Sequence, residues 1–403
     1  MQTQGNVVPV STAKGIDVER IEKELASMWV GARDKPDAAA GEAEVEAGVT
    51  RACTLNLIVY TTKQDDRARL EEMLDEISEQ HPGRVLVLVA DREAAEPSLD
   101  AHVSTRCRDL GGITKQVCGE QVTIEASGLA VETAATAVAP LLLPDVPVFL
   151  WWKDIPHYED KLFNRLASMA DRIVIDSAAF DHPQDDLKRL AHLLRERSPL
   201  MRVSDLNWGR LTSWRTLIAS FWDVPDYRGL LDRIDQIAIE YDPPDVAHEE
   251  IAPKALLLLG WLASRLGWEV ASSAPSASDE NESVAARFTL SASHGTINVQ
   301  FSPTTDREDS DGMLASLKLS TTSEGADFYV ALSPDRNRLQ TEATISGQRT
   351  AGRVLSYEAR TEGERLGREL AFLTRDKIYE EAVAVSARLI EMLAAREADS
   401  KSE

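Results

Sequence analysis

Residues 143–152, LPDVPVFLWW, and residues 171–177, DRIVIDS, give the clearest indication of the fold. Their apolar, β-branched runs predict strands over 146–151 and 172–176. The next segment, DLNWGRLTSWR at 205–215, combines tryptophan with arginine. Five of the eight tryptophans lie between Trp151 and Trp222. Because tryptophan is costly to expose, this clustering indicates either the densest core or a binding face.

On both sides of these segments, apolar strands alternate with amphipathic helices. Further strands are predicted over 53–60, 84–90 and 117–126, and helices over 64–80, 162–169 and 185–197. An apolar helix is predicted from Ser127-Gly128 to Leu141, with Ser127 as its N-cap. This alternation predicts an α/β domain, a mainly parallel sheet covered by helices in Rossmann-like layers. The segment from Leu99 to Cys118 breaks the alternation and predicts an antiparallel hairpin.

The second half of the chain has a different pattern of predicted secondary structure. Five short alternating strands follow Ala286, and two charged helices are predicted over 363–373 and 376–395. This pattern predicts an α+β domain with an antiparallel sheet. The predicted organisation is an N-terminal helix and acidic linker over 1–50, the α/β domain over 51–235, and the α+β domain over 236–403. The linker itself is assigned to the acidic, aromatic-poor stretch 38–47.

Charge and hydropathy exclude several classes of function. A net charge of −23 argues against nucleic-acid binding, which needs clustered lysine and arginine, and would repel an anionic membrane. No apolar run approaches the roughly 20 residues that span a bilayer. Because residues 1–16 lack the features of a signal peptide, we expect a cytoplasmic protein.

The cysteines form no metal-binding or disulfide pattern. Cys53, Cys107 and Cys118 are an odd set without a CxxC motif. We therefore expect reduced structural thiols, with Cys53 in a core strand. Cys107 and Cys118 flank the predicted hairpin turn and could come close together.

A search for catalytic motifs finds no reaction centre. The sequence contains no GxGxxG, GxxxxGK[ST], GxSxG or HExxH motif. His157 follows the tryptophan pair and could meet a ligand, but a solvated helix start is the favoured explanation. We therefore predict no catalytic residue, cofactor or metal site.

The tryptophan–arginine constellation leaves three interpretations open: core, partner interface and small-ligand site. Trp214 is expected in the core, because it lies on the apolar stripe of a helix that Thr212 is predicted to cap. Trp152, Trp208, Arg210 and Arg215 are expected nearer the surface. Tryptophan with arginine is the usual composition of an interface anchor, and arginine also binds phosphate.

The sequence resembles the glucose-6-phosphate dehydrogenase assembly proteins (OpcA) from about residue 21 to residue 268. The resemblance rests on several strings in order: TLNL at 54–57, HPGRV at 81–85, VCGE at 117–120, the three segments already quoted, and GWLASRLGW at 260–268. Ser213 stands where this family leads us to expect proline. No cysteine follows Cys118, so control through C-terminal cysteines does not carry over.

The resemblance implies a non-enzymatic partner of glucose-6-phosphate dehydrogenase that favours its active oligomer in the oxidative pentose phosphate pathway. A protein that prefers the active conformer can activate without any catalytic group. The partner-binding residues are predicted to be Trp151, Trp152, Asp205, Trp208, Arg210, Trp214 and Arg215. The alternative is a sugar-phosphate-binding enzyme or sensor, with its site near Trp152 and Arg210. A scaffold for another carbohydrate enzyme is a third interpretation.

Overall fold

The computed structural model describes residues 8–9, 11–12, 15–33, 49–109, 116–157, 159–197, 201–274, 284–304, 312–350, 352–357 and 360–400. The predicted linker at 38–47 lies outside these residues. In chain order the elements are β1 (Val8–Pro9), β2 (Ser11–Thr12), β3 (Gly15–Ile16), α1 (Val18–Arg33), β4 (Val49–Arg51), β5 (Asn56–Thr62), α2 (Arg67–Gln80), β6 (Arg84–Asp91), β7 (Ser98–Asp109), β8 (Gln116–Ser127), α3 (Ala135–Val138), β9 (Val148–Trp152), α4 (Lys161–Ala167), β10 (Arg172–Ile175), α5 (Pro183–Arg197), β11 (Val203–Asp205), α6 (Leu206–Arg210), α7 (Thr212–Ser220), α8 (Pro225–Leu231), β12 (Gln236–Tyr241), α9 (Pro253–Leu266), β13 (Glu269–Ala274), β14 (Ala286–Ala292), β15 (Gly295–Pro303), β16 (Leu314–Thr321), β17 (Ala326–Leu332), β18 (Arg338–Ile345), β19 (Gln348–Thr350), β20 (Val354–Ser356), α10 (Glu362–Glu369) and α11 (Lys377–Ser400).

The chain forms two compact units that are interleaved along the sequence. Unit 1 comprises Met1–Ile175, Ser198–Ser204 and Thr361–Arg375. Unit 2 comprises Asp176–Arg197, Asp205–Arg360 and Asp376–Glu403. The sequence predicts a boundary between separately folding domains at residue 235, and this boundary remains a prediction.

Unit 1 is built on a sheet whose central strands are parallel. The strand order is β1-β7-β8-β6-β5-β9-β10-β11, and β4 pairs with β8. Strands β8, β6, β5, β9 and β10 run parallel to their neighbours in that series. The first six residues of β5 are all buried, as expected for a strand with helices on both faces. The predicted α/β class is confirmed.

The predicted antiparallel hairpin is formed by β7 and β8, and its register decides the state of two cysteines. Cys107 lies directly opposite Cys118, and their Cα atoms are 4.0 Å apart. The two residues are joined by a disulfide, so the expectation of reduced thiols at these positions was wrong. Sequence spacing alone could not fix this register. Cys53 is unpaired and only partly buried, just before β5, not in a core strand.

The segment between β8 and β9 is less helical than predicted. It contains two short 3-10 turns and α3, which has only four residues. Gly128 adopts a φ of 52°, which breaks a regular helix start and is accessible to glycine at low cost. The Ser127 hydroxyl does not cap the turn; it donates to the Glu96 carbonyl oxygen at 2.9 Å. The predicted N-cap role of Ser127 was therefore wrong.

Unit 2 is an α+β unit with its own large sheet. The strand order is β13-β14-β15-β12-β16-β17-β18-β19, and β20 pairs with β18. The pairs are antiparallel except for β12 with β15, which run parallel. Helices α5, α9 and α11 pack together, with α9 against β12 and α11 against β13. The antiparallel sheet predicted for the second half is confirmed.

The helices agree with the hydropathy of the sequence. Among the described residues, no helix combines the length and apolar character that crossing a bilayer requires.

Candidate functional site

The first candidate site in unit 1 is the crevice at the carboxyl edge of the parallel sheet. Strand β5 has β6 on one side and β9 on the other, so the strand order reverses there, and ligands of open α/β sheets bind at such a point. The Tyr60 ring stacks on the Trp152 ring with centroids 3.7 Å apart, and the Phe163 ring meets Trp152 edge-on. Trp152 is 1% exposed, so the expectation that it lies near the surface was wrong. Its indole N–H has no hydrogen-bond partner among the described residues. Trp152 therefore stabilises this edge through ring packing.

Polar groups above this stack bind one another. The Arg92 Nε donates to the Tyr60 hydroxyl oxygen at 3.0 Å, and its Nη2 donates to Asp160 Oδ2 at 2.6 Å. Asp160 also caps α4 by accepting two backbone N–H bonds. Burial raises the pKa of the Tyr60 phenol, which keeps it neutral. The edge above the stack is thus closed by an internal network.

The turn after β5 occupies the position of a phosphate-binding loop but carries acidic side chains. Asp65 Oδ2 accepts from the Thr61 hydroxyl at 2.6 Å and from the Thr62 backbone N–H at 2.7 Å. Asp66 accepts from two backbone N–H groups in the first turn of α2. In dinucleotide-binding folds such N–H groups point at a pyrophosphate. Here the chain's own carboxylates take them.

A cavity of about 290 Å³ lies beside this turn. Its lining includes the carboxylates of Asp65, Asp91, Asp100 and Glu125 and the cations of Lys63 and Arg67. Both cations are already paired: Lys63 Nζ lies 3.0 Å from Asp91 Oδ2, and Arg67 Nη1 lies 2.6 Å from Glu125 Oε1. A phosphate entering this cavity would meet an excess of negative charge.

The second candidate site lies in unit 2, around the segment 205–215. The Asp205 carboxylate is buried and accepts hydrogen bonds from the Ser177 N–H, the Ser177 hydroxyl, the Asn207 N–H and the Tyr379 hydroxyl, at 2.6–3.1 Å. Loss of solvation, followed by the nearby charge of Asp176, raises the pKa of Asp205 to about 6. Asp205 thus links its own segment, through hydrogen bonds, to the segments that contain Ser177 and Tyr379 in this unit.

Trp208 is buried beneath Arg215. The residue is only 5% exposed, and its indole Nε1 donates to Asp376 Oδ2 at 2.8 Å. The Arg215 guanidinium lies 3.6 Å from the centroid of the Trp208 ring and remains partly exposed. The expectation that Trp208 lies near the surface was therefore wrong. Its indole supports an arginine that does reach the surface.

Arg210 is bound by a carboxylate of the same unit. Its Nη1 and Nη2 donate to the two oxygens of Asp176 at 2.6 and 2.7 Å. This bidentate pair occupies the face of the guanidinium that a phosphate would use. Thr212 does not cap α7 as predicted; it is the first residue of that helix, and its hydroxyl donates to the Gly209 carbonyl oxygen.

The seven predicted docking residues are divided between the two units. Trp151 and Trp152 belong to unit 1, and Asp205, Trp208, Arg210, Trp214 and Arg215 belong to unit 2. The four tryptophans and Asp205 are buried, whereas Arg210 and Arg215 are partly exposed. The core position of Trp214 is confirmed. The partner-binding role of the set stays a prediction.

An exposed apolar pair in unit 1 was not predicted from the sequence. The helical pattern placed Phe372 and Leu373 in a helix, but α10 ends at Glu369, and both side chains are exposed. The signal that could have found them is the apolar pair directly before Thr374 and Arg375, where the helical pattern stops.

Two family models match consecutive parts of the chain. Residues 74–192 match a model described as the N-terminal domain of the glucose-6-phosphate dehydrogenase subunit. Residues 201–383 match a model described as the C-terminal domain of the same protein.

Three cyanobacterial proteins named “Putative OxPP cycle protein OpcA” are similar in sequence. The protein of Nostoc punctiforme is 31% identical over 328 residues, which is 79% of this chain and 67% of that protein. The protein of Synechocystis is 30% identical over 79% of this chain and 66% of its own length. The protein of Synechococcus elongatus is 34% identical over 52% of this chain and 44% of its own length. The chain thus spans about two thirds of the first two relatives.

Among solved structures, the chain is similar to an oxidoreductase domain protein from Kribbella flavida, with a TM-score of 0.41 and 11% identity over 88% of this chain and 98% of that one. A dehydrogenase (MviM) from Clostridium difficile gives a TM-score of 0.35 and 11% identity over 84% and 99%. Neither likeness bears on activity.

Both halves of the chain match models of one family, and a relative in that family shares 31% identity over most of the chain. These matches agree with the sequence strings that suggested the same family, and the resemblance is confirmed. This chain belongs to the OpcA family of glucose-6-phosphate dehydrogenase assembly proteins.

Proposed function

We propose that this chain is a non-catalytic assembly factor that binds glucose-6-phosphate dehydrogenase and favours its active oligomer. The observation that carries the proposal is the state of the crevice in unit 1. Tyr60 and Trp152 stack on each other there, and Asp65 and Asp66 accept backbone N–H groups that would otherwise bind a phosphate. The edge at which such folds hold a nucleotide carries here the chain's own aromatic stack and an excess of carboxylates, which suits a binding protein better than a dehydrogenase.

Family membership supplies the partner. The matched models are described as domains of a glucose-6-phosphate dehydrogenase subunit, and the relatives are named for the oxidative pentose phosphate cycle. Activation then needs no catalytic group in this chain. If it binds the active oligomer more tightly than the inactive form, mass action shifts the population towards the active form.

Within the proposal, Arg215 is the best docking residue of the predicted set. Its guanidinium is held against the Trp208 ring and is partly exposed, so little side-chain freedom is lost when a partner binds. Arginine supported by an aromatic ring is a common interface anchor.

The test uses purified glucose-6-phosphate dehydrogenase from the same organism, assayed and sized by light scattering with and without this chain. We expect a larger species that contains both proteins and a higher rate at equal enzyme concentration. Arg215→Ala should weaken the complex about tenfold, because it removes one anchor. Arg228→Ala is the matched control, since Arg228 is an exposed arginine on α8 of the same unit.

The result that would contradict the proposal is no complex and no change in rate when both proteins are folded. Binding of glucose 6-phosphate to the chain alone, measured by titration calorimetry, would support the sugar-phosphate alternative.

A further inference from the structure

The turn that follows α10 in unit 1 displays two large apolar side chains. Phe372 is 59% exposed and Leu373 is 43% exposed. Turns normally carry polar residues, glycine or proline, so two adjacent apolar side chains are unusual there. Grouped apolar side chains at a surface mark interaction sites more often than isolated ones do.

A buried arginine fixes the backbone of this turn. Arg172 Nη1 donates to the carbonyl oxygens of Phe372 and Thr374 at 3.3 and 2.7 Å, on either side of Leu373. Its Nη2 donates to Glu369 Oε2 at 2.9 Å, and its Nε donates to the Ser204 hydroxyl at 3.1 Å. The Arg172 side chain is only 6% exposed, so these bonds are shielded from water.

The helix before the turn is fixed as well. Thr361 and Glu364 form a capping box at its N-terminus. Gly363 and Gly367 place the backbone of α10 close to α2: a Cβ on Gly363 would lie 3.0 Å from the Glu76 Cβ. The apolar pair is therefore presented from a rigid support, which lowers the entropy lost on binding.

Cations outnumber carboxylates in residues 368–377, which contain Arg368, Arg375 and Lys377 but only Glu369 and Asp376, although the chain as a whole carries −23. Arg368 is exposed, and its acidic neighbour Glu369 is paired with the buried Arg172. A second copy docking through the same patch would bring Arg368 against the Arg368 of the other copy, because a twofold contact pairs each patch with itself. The rim favours a different protein with carboxylates around its binding pocket.

We propose that the Phe372–Leu373 turn is a docking knob that inserts into an apolar pocket rimmed by carboxylates on a different protein. This inference rests on the proposed function, which makes that protein glucose-6-phosphate dehydrogenase. Phe372 and Leu373 fill the pocket, and Arg368 faces its rim. The knob is separate from the seven residues predicted from the sequence.

The experiment measures the dissociation constant of the complex between the full chain and purified dehydrogenase. Phe372→Ala and Leu373→Ala should each raise this constant about 10- to 100-fold, because apolar anchors carry most of the binding free energy of an interface. Leu129→Ala is the matched control: Leu129 is an exposed apolar residue of the same unit, at 80% exposure, and its replacement should change the constant less than about twofold. Arg368→Glu should also weaken the complex, since it places a carboxylate against the acidic rim. The thermal unfolding midpoint of every variant should match that of the unsubstituted chain.

The outcomes separate the two proposals. If the unsubstituted chain binds the dehydrogenase and Phe372→Ala binds it equally well, the proposal that this turn docks into the partner is wrong, and the proposed assembly function stands. If the unsubstituted chain forms no complex, both fail. If the chain alone forms a dimer that Phe372→Ala dissociates, a second copy occupies the surface and the inference is overturned.

Discussion

At the residue scale, several side chains in the sequence strings that indicate the family form hydrogen bonds and ion pairs with distant parts of the chain. The Asn56 side chain binds the backbone N–H and carbonyl oxygen of Leu143, each at 2.9 Å, and so joins two of those strings. The Arg84 Nε donates to Glu120 Oε2 at 2.7 Å, and both side chains are buried. Glu120 Oε1 also accepts from the Trp29 indole at 2.8 Å. Because a buried charge is tolerated only when it is paired, substitution of either Arg84 or Glu120 should lower the stability of the fold strongly.

Asp205 should make the stability of the protein depend on pH. Its pKa is about 6 in the folded state and about 3.8 in the unfolded chain, so the folded state binds more protons between these values. The contribution of this group to the free energy of unfolding therefore falls as pH rises from about 4 to about 6, by up to about 3 kcal/mol. Asp205→Asn removes this titration, and the amide can donate to the hydroxyl oxygens of Ser177 and Tyr379.

The measurement is urea unfolding of Asp205→Asn and the unsubstituted chain at several values between about pH 4 and pH 7, the range in which the group titrates. We expect the variant to gain stability relative to the unsubstituted chain as the pH rises. Parallel stability curves would show that Asp205 does not titrate in this range. Asp185→Asn is the control, because Asp185 is exposed and its pKa is lowered by Lys188.

At the element scale, the contact between α9 and α11 depends on one glycine. A Cβ on Gly260 would lie 2.3 Å from the Ala382 carbonyl oxygen and 2.9 Å from the Ser386 hydroxyl. The backbone of α11 cannot give way without separating the two helices. We predict that Gly260→Ala lowers the free energy of unfolding by about 1–3 kcal/mol, as overpacking usually does.

Gly229 provides the opposite case for the same substitution. It lies in α8, and a Cβ there would have no neighbour within 4 Å. Because alanine favours a helix over glycine, Gly229→Ala should be neutral or stabilising by up to about 1 kcal/mol. Equal effects of the two substitutions in chemical denaturation would refute the packing argument.

Elements with a continuous apolar run or a clear helical period were predictable. Strands β5 and β6 and helix α5 lie close to where the pattern places them, because their burial follows directly from local sequence. The exceptions depend on backbone geometry or on chain ends. Gly128 takes a positive φ where a helix start was expected, and α10 stops at Glu369, before the predicted end at Leu373.

At the scale of the whole molecule, the interleaving of the two units has a consequence for fragments. A fragment 51–235 would lack 361–375, which supply the partners of Arg172 in unit 1. A fragment 236–403 would lack α5, which packs against α11 in unit 2. We predict that neither fragment unfolds cooperatively in a circular dichroism melt, whereas the full chain does. Two cooperative transitions matching those of the full chain would instead support a domain boundary at residue 235.

The two fold classes, the parallel and antiparallel sheets, and the family follow from the sequence alone, because periodicity, apolar runs and ordered strings are local properties of the chain. Which polar and aromatic groups are available depends on the tertiary structure. Trp208 is buried and bonded to Asp376, 168 residues further along, and Arg210 is neutralised by Asp176, 34 residues earlier. Phe372 and Leu373 are exposed because the chain turns where Arg172, 200 residues away, binds its carbonyl groups. Exposure is a property of what packs against a side chain, and those partners come from distant parts of the sequence.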